Sequence, residues 1–293
     1  MADYTAQMQR IEKRLDEYLG GQPSAEAPAS IAQAIAKDFP TAEDDVESYL
    51  GPLWQSVTKL AQGASYDHPA QDKLVNMVSE VMLLPDDQEI RIWGDVSNYT
   101  LPHTLTRSKI PQADGRHMKE AKWKELPLLG AEFREQINGP ESADDETEHA
   151  KITQSWINFH AFAARLNGKG VTDWWDIPLW MLRQGLEEDL SSAPKLHDCH
   201  IMTAAQIVEH SGAIMLATKV IPKEELDETE KRMFAPGSLF KGEAGYTPER
   251  WTFWARRLRE EAAKCSSDEV KNAALRAARL MEVWLDRSTA GQR

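Results

Sequence analysis

The chain has 293 residues, 41% of them hydrophobic and 28% charged, with a net charge of −13; this balance excludes a disordered chain, and the acidic field disfavours nucleic acid and anionic lipid as partners. No stretch approaches the roughly 18 apolar residues of a membrane span, and Asp3, Arg10, Glu12, Lys13, Arg14, Asp16 and Glu17 interrupt any signal-peptide core at the start. Cys199 and Cys265 make no disulfide framework, so a soluble, cytoplasmic protein is expected.

Helical periodicity recurs along the chain and strand alternation almost never does, which predicts an all-α multi-helix bundle of about nine to eleven helices. The first helix is predicted over Tyr4 to Leu19, ending at Gly20-Gly21. A second runs from about Ser30 to Phe39. Thr41 is placed as the cap of a third, whose buried stripe is Tyr49, Leu53, Trp54, Val57 and Leu60, and Leu74 to Leu84 reads as the fourth. The alternation around 89–93 allows one minor strand or a bend. Between Gly94 and Lys119 the prolines and polar residues read as an extended strap, with a lid as the alternative. An acidic connector, Gly139 to Glu148, suits the N-terminus of the helix behind it. It leaves two organisations open: one helical domain over 1–293, or subdomains over 1–138 and 149–293.

Beyond the connector, Trp156 to Leu166 is apolar nearly all round and is expected at the centre of the core, clamped by helices starting at Asp176 and Thr247. Asp176 and Thr247 are read as caps, with Pro178 and Pro248 in the first turns and Trp175–Trp180 and Tyr246–Trp251 as hydrophobic staples. Asp198 is a plausible cap for a helix through Ile207 and Leu216. The last helix opens with Ser266-Ser267-Asp268-Glu269, read as a capping box, and buries Val270, Ala274, Ala277, Met281 and Trp284.

Two blocks carry a resemblance. Trp156-Ile157-Asn158-Phe159-His160-Ala161-Phe162-Ala163-Ala164-Arg165-Leu166 is followed by Ile177-Pro178-Leu179-Trp180-Met181-Leu182-Arg183 and Glu187. Downstream, Gly237-Ser238-Leu239-Phe240-Lys241-Gly242 leads into Tyr246-Thr247-Pro248-Glu249-Arg250-Trp251-Thr252-Phe253-Trp254. With Trp93-Gly94-Asp95 as an upstream anchor, the chain resembles, over roughly Ile90 to Met281, a filamentous-fungal family catalogued only as a domain of unknown function. The resemblance implies a helical, intracellular protein of fungal origin and brings no agreed catalytic residues.

On the central helix, Asn158, His160 and Arg165 sit among aromatic residues, where buried polar groups need partners. Asp95, Glu187 and Glu249 are the candidate partners, and Arg165 above all should hold one of them. The arrangement is either a polar network fixing helix register or a ligand pocket. As a pocket, its catalytic residues are His160, Arg165 and Asp95, and its ligand-binding residues are Trp93, Trp156, Asn158, Phe162, Trp180, Arg183, Glu187 and Trp251. Arg183 and Glu187, four apart, otherwise read as a weak exposed pair. His197-Asp198-Cys199-His200 invites a metal, but its spacing separates the ligands on a helix and no second cluster follows, so no metal is expected. Glu209-His210 and the basic run Arg256, Arg257 and Arg259 read as solvated faces. Nucleotide and serine-hydrolase motifs are absent, so no cofactor is expected. Ten tryptophans are the compositional excess. They suggest a cofactor-independent protein of fungal secondary metabolism that holds an apolar or aromatic small molecule and isomerises, cyclises or dehydrates it. The rival is a non-enzymatic interaction scaffold with an acidic surface.

Overall fold

The computed structural model describes residues 4–21, 26–40, 46–86, 88, 90–94, 117–222 and 225–290. Over these residues the chain forms eleven α-helices and one two-stranded sheet, the all-α bundle that the periodicity predicts. It divides into two compact units, Met1–Gly139 and Pro140–Arg293.

The first unit holds α1 (Thr5–Leu19), α2 (Pro28–Lys37), α3 (Val46–Gly63), α4 (Pro69–Met82) and the short α5 (Leu129–Glu135). Met8, Ile11 and Leu15 form the buried stripe of α1, and Ile31, Ala32 and Ile35 that of α2. In α3 the buried stripe is as expected at Tyr49, Leu53, Trp54 and Val57, while the proposed cap Thr41 lies outside the described residues. The fourth helix starts earlier than predicted, at Pro69, because the His68 side chain accepts the Ala70 N–H at 3.1 Å and Pro69 fits the first turn. The indole N–H groups of Trp54 and Trp123 are satisfied by the Pro127 carbonyl (2.7 Å) and the Gln88 amide (3.0 Å), so both act as core residues. Strand β1 (Ile90–Gly94) pairs antiparallel with β2 (His117–Ala121), Ile90 opposite Ala121 and Gly94 opposite His117. The second strand falls within the end of the stretch read as a strap; it was missed because His117-Met118-Lys119-Glu120 shows no apolar alternation. Residues 95–116, including Asp95, lie outside the described residues.

The second unit holds α6 (Glu146–Gly168), α7 (Asp176–Leu186), α8 (His197–Met215), α9 (Glu228–Met233), α10 (Pro248–Ala262) and α11 (Asp268–Ala290). Asp145 caps α6 by accepting the Glu148 N–H at 2.8 Å, with Glu146 and Glu148 in the positive first turn, as the connector's charge predicts. Every residue from Trp156 to Asn167 is buried. The hub of this unit is nevertheless α8, which packs against α6, α7, α10 and α11 and is itself buried on most of its circumference. Close approach is built into the α6–α8 pair: a Cβ at Gly168 would stand 1.9 Å from the His210 carbonyl oxygen.

The helix starts are only partly as read. Thr247 caps α10 by accepting the Arg250 N–H at 3.1 Å, with Pro248 in the first turn. Asp176 does not cap α7, which begins after Trp175 without a side-chain cap; Asp176 is instead the first helical residue, buried. Asp198 does not cap α8 either. Its carboxylate accepts Ser266 N–H, Ser266 O–H and Ser267 N–H, which fastens the entry of α11 to the start of α8. Among the described residues no helix is long and apolar enough to cross a membrane.

Candidate functional site

Trp180, Arg183 and Glu187 fall on one side of α7 through their spacing of three and four. They do not open into a pocket. Instead they grip the end of α9 and the chain that leaves it, with contacts at Met233, Ala235, Gly237 and Leu239. The Trp180 indole N–H donates to Met233 O (3.1 Å), Arg183 Nη1 to Ala235 O (3.2 Å), Gly237 N–H donates to Glu187 Oε2 (2.7 Å) and Leu239 N–H to the Glu187 carbonyl (2.8 Å). Arg183 and Glu187 are therefore not an exposed pair; Glu187 is fully buried.

The charge that Glu187 pairs with is Arg250, in the first turn of α10, and not Arg165 as the sequence suggested. Arg250 Nε donates to Glu187 Oε1 (2.6 Å) and Nη2 to Oε2 (3.0 Å), a two-pronged contact between side chains with no exposure. Its remaining N–H groups reach Phe234 O (2.8 Å), Gly245 O (2.9 Å) and Ala235 O (3.3 Å). Trp254 adds an indole N–H to Glu187 Oε1 at 2.6 Å, and the guanidinium lies over the rings of Phe240 (5.7 Å) and Trp254 (5.4 Å). Burying two charges costs several kcal/mol each unless every lone pair and proton is used, and here they are. Arg250 was missed because its run of Glu, Arg and Trp reads locally as a solvated first turn. The signal was the flanking Trp251 and Trp254, which place that turn in the core.

What this assembly holds in place is the wall of a cavity of 480 Å³. The last turn of α8 widens into a π-helical turn, Leu216–Val220, and delivers Val220 and Ile221 to one side. Leu226 and Phe234 add apolar surface, and the turn from Gly242 to Glu249 closes the other side with Tyr246, Thr247 and Pro248. Gly245 has φ +86° and packs on Leu226 so closely that a Cβ would lie 2.7 Å from Leu226 Cδ1, so this turn requires glycine. Among the described residues, the ionisable side chains lining it apart from Tyr246 are the carboxylates Glu243 and Glu249.

The α6 residues sit elsewhere. Phe162 is fully buried, Asn158 accepts from Gln154 (2.8 Å), and Arg165, nearly buried, donates to Ala161 O (3.3 Å). His160 Nδ1–H donates to Trp156 O at 2.9 Å, which leaves Nε2 as an acceptor, and burial pushes its pKa down to about 4, so the ring is neutral. Among the described residues neither His160 Nε2 nor Trp156 Nε1 has a hydrogen-bond partner, although both are buried. The rings stand 4.2 Å apart. Trp251 is core, its N–H on Met281 O (3.0 Å), and Glu249 is exposed. For Trp93 only the backbone, in β1, is described, and Asp95 lies outside the described residues. The structure thus separates the expected site into a clamp on α7 and a polar pair on α6.

A second recess, of 400 Å³, opens where α8 begins. His197 Nε2 lies 2.8 Å from Glu261 Oε2, and Nδ1 3.1 Å from Asp198 Oδ1. Burial would raise the Glu261 pKa, but Lys264 (2.9 Å), His197 and Arg257 outweigh it and hold the carboxyl below its usual range. Arg257 and Glu261 are therefore part of this recess and not of a solvated face. Cys199, by contrast, points into the core, where burial pushes its thiol up to about 12 and leaves it inert.

These features define a predominantly helical protein with a ligand-sized cavity, one wall of which is fixed by a fully satisfied buried ion pair. The chain belongs to the family described as Protein of unknown function (DUF3632), which matches residues 54–258. No curated protein and no solved structure matches it.

Proposed function

We propose that this chain binds a small, mainly apolar molecule in the 480 Å³ cavity between the π-helical end of α8 and the turn 242–249. The cavity carries the reading: its volume lies within the roughly 300–1,000 Å³ of small-molecule sites, and its walls combine apolar surface with a few polar groups. Because Glu243 and Glu249 are the charged groups at its edge among the described residues, a ligand whose polar end is a hydrogen-bond donor or a cation suits it. The Glu187–Arg250 pair serves as a positioning device, keeping the wall rigid from behind as binding sites require. In this reading the physiological setting is fungal secondary metabolism in the cytoplasm, following the resemblance above. Any turnover is acid–base chemistry of isomerisation, cyclisation or dehydration type.

The test is a titration with Nile red, a neutral apolar dye, followed by native mass spectrometry of the purified protein for co-purifying small molecules. Ala244→Phe fills the cavity from an incompletely buried turn position, and should weaken dye binding at least tenfold with an unchanged melting temperature. Undiminished binding by that variant would overturn the assignment. One specific observation favours a second reading, with the ligand at α6: the unpartnered donor and acceptor on Trp156 and His160. There, His160→Gln would reduce binding and Ala244→Phe would not.

A further inference from the structure

The sequence places His197, Asp198, Cys199 and His200 side by side and makes no metal site of them. Folding rearranges this set. Cys199 and His200 turn into the core of the second unit, while the α10–α11 turn carries Cys265 up to the start of α8. Asp198 draws it there, since its Oδ2 takes Ser266 O–H (2.6 Å), Ser266 N–H (3.1 Å) and Ser267 N–H (3.0 Å), the residues directly after Cys265. As a result one ligand atom each from His197, Asp198 and Cys265 lie within 4.8 Å of one another. We propose that His197, Asp198 and Cys265 form a binding site for a zinc-class divalent ion.

Three observations carry this. The donor set, imidazole, carboxylate and thiol, is the nitrogen, oxygen and sulfur mixture that zinc and cobalt(II) accept, and three protein ligands leave a fourth tetrahedral position for water. The histidine is already held from the far side, as metal-binding histidines are: Nε2 lies 2.8 Å from the buried Glu261 Oε2, which fixes the ring and turns Nδ1 towards Asp198, 3.1 Å from its Oδ1. Glu261 is itself pinned by Arg257 and Lys264, so it orients the imidazole without competing for the ion. Finally, the cluster is not sealed. His197 and Asp198 line the 400 Å³ recess together with Ser191, Ser266, Glu261 and the cations Lys195, Arg257 and Lys264, so the recess reaches two of the three ligands and gives the fourth ligand a place to stand. Burial and the neighbouring Asp198 carboxylate push the Cys265 thiol up to about 12, so the thiol is protonated without an ion; binding replaces that proton with the metal and releases it to solvent, one for each ion bound through sulfur. The site is separate from the cavity of the proposed function, and its test stands independently.

The test uses the full chain, stripped of metal by a chelator and titrated with cobalt(II) alone. The expected result is saturation at one ion per chain, with visible d–d bands and a near-ultraviolet thiolate-to-cobalt charge-transfer band, both abolished by competing zinc. Cys265→Ser, a near-isosteric change at a half-buried position, should remove the charge-transfer band. Glu261→Gln should keep the band and weaken binding by about 10–100-fold. Circular dichroism of each variant shows that the fold is retained, and Cys199→Ser serves as the thiol control that leaves the band in place. Absence of a charge-transfer band in the wild-type chain, or its survival in Cys265→Ser, would overturn the proposal.

Discussion

At the scale of single residues, the decisive contact is that between Glu187 and Arg250. Every donor of the guanidinium and both carboxylate oxygens are engaged, so removing one partner leaves a buried charge facing several orphaned groups. Arg250→Ala should therefore cost about 3–5 kcal/mol, while the double change Arg250→Met with Glu187→Leu should cost less than Arg250→Ala alone. Urea unfolding of the single and double variants reads this directly, and equal losses would show that the pair is not isolated from solvent. The sequence offers Glu187 as one of three partners for Arg165 and as a ligand-binding residue, and otherwise as half of a weak exposed pair; in the structure it is the acid at the centre of the clamp. The sequence favours the other cation because Arg165 stands in a visibly apolar helix, whereas Arg250 sits in a run of polar residues whose burial is decided by the partners of Trp251 and Trp254. Likewise the metal-ligand set could not be seen in sequence, since Cys265 reaches His197 only through the contact of Asp198 with residues 266 and 267.

At the scale of elements, what was legible is what local chemistry determines. Periodicity located the helices, capping located the start of α10, where Thr247 accepts the Arg250 N–H, and the charge of the connector pointed to the start of α6, where Asp145 accepts the Glu148 N–H. Thr247→Ala should accordingly cost about 0.5–2 kcal/mol and loosen the turn that walls the cavity. Thermal unfolding together with the dye titration measures both effects. What was not legible is where tertiary contacts take over local roles. Asp198 looked like the cap of its own helix and instead serves the entry of α11, and Asp176 looked like a cap and is buried as the first helical residue. Packing of α8 belongs to the same class, because its close contact with α6 depends on a glycine. Gly168→Ala would raise helix propensity in isolation by about 0.5–1 kcal/mol, yet a Cβ 1.9 Å from His210 O forces the two helices apart. A net destabilisation of about 1–3 kcal/mol is expected, and a more stable variant would show that the end of α6 is free to shift.

At the scale of the whole molecule, two effects of acid oppose each other. The chain carries −13, so protonating carboxylates relieves self-repulsion and should favour the compact state. The buried histidines act the other way. Burial holds His160 and His200 near a pKa of about 4, against 6.5 for an unperturbed imidazole, with His200 adding to the depression at His160 and His197 to that at His200. Between these values the unfolded chain binds protons that the native state refuses, so the contribution of both groups is complete above about pH 6.5 and is lost progressively as the pH falls towards 4. Few exposed carboxylates titrate between pH 6.5 and 5, so the histidines dominate that interval. At pH 5 each has lost about 2 kcal/mol, on the order of 4 kcal/mol for the pair, a large part of a typical folding free energy. Urea unfolding midpoints should therefore fall between pH 7.5 and pH 5, despite the relief of charge. Replacing His160 by glutamine should remove about half of that fall by deleting one of the two proton acceptors, whatever the substitution does to stability at pH 7.5. If the midpoint instead holds steady or rises on acidification, the imidazoles are reached by water and the sealed core around α6 and α8 is not as described.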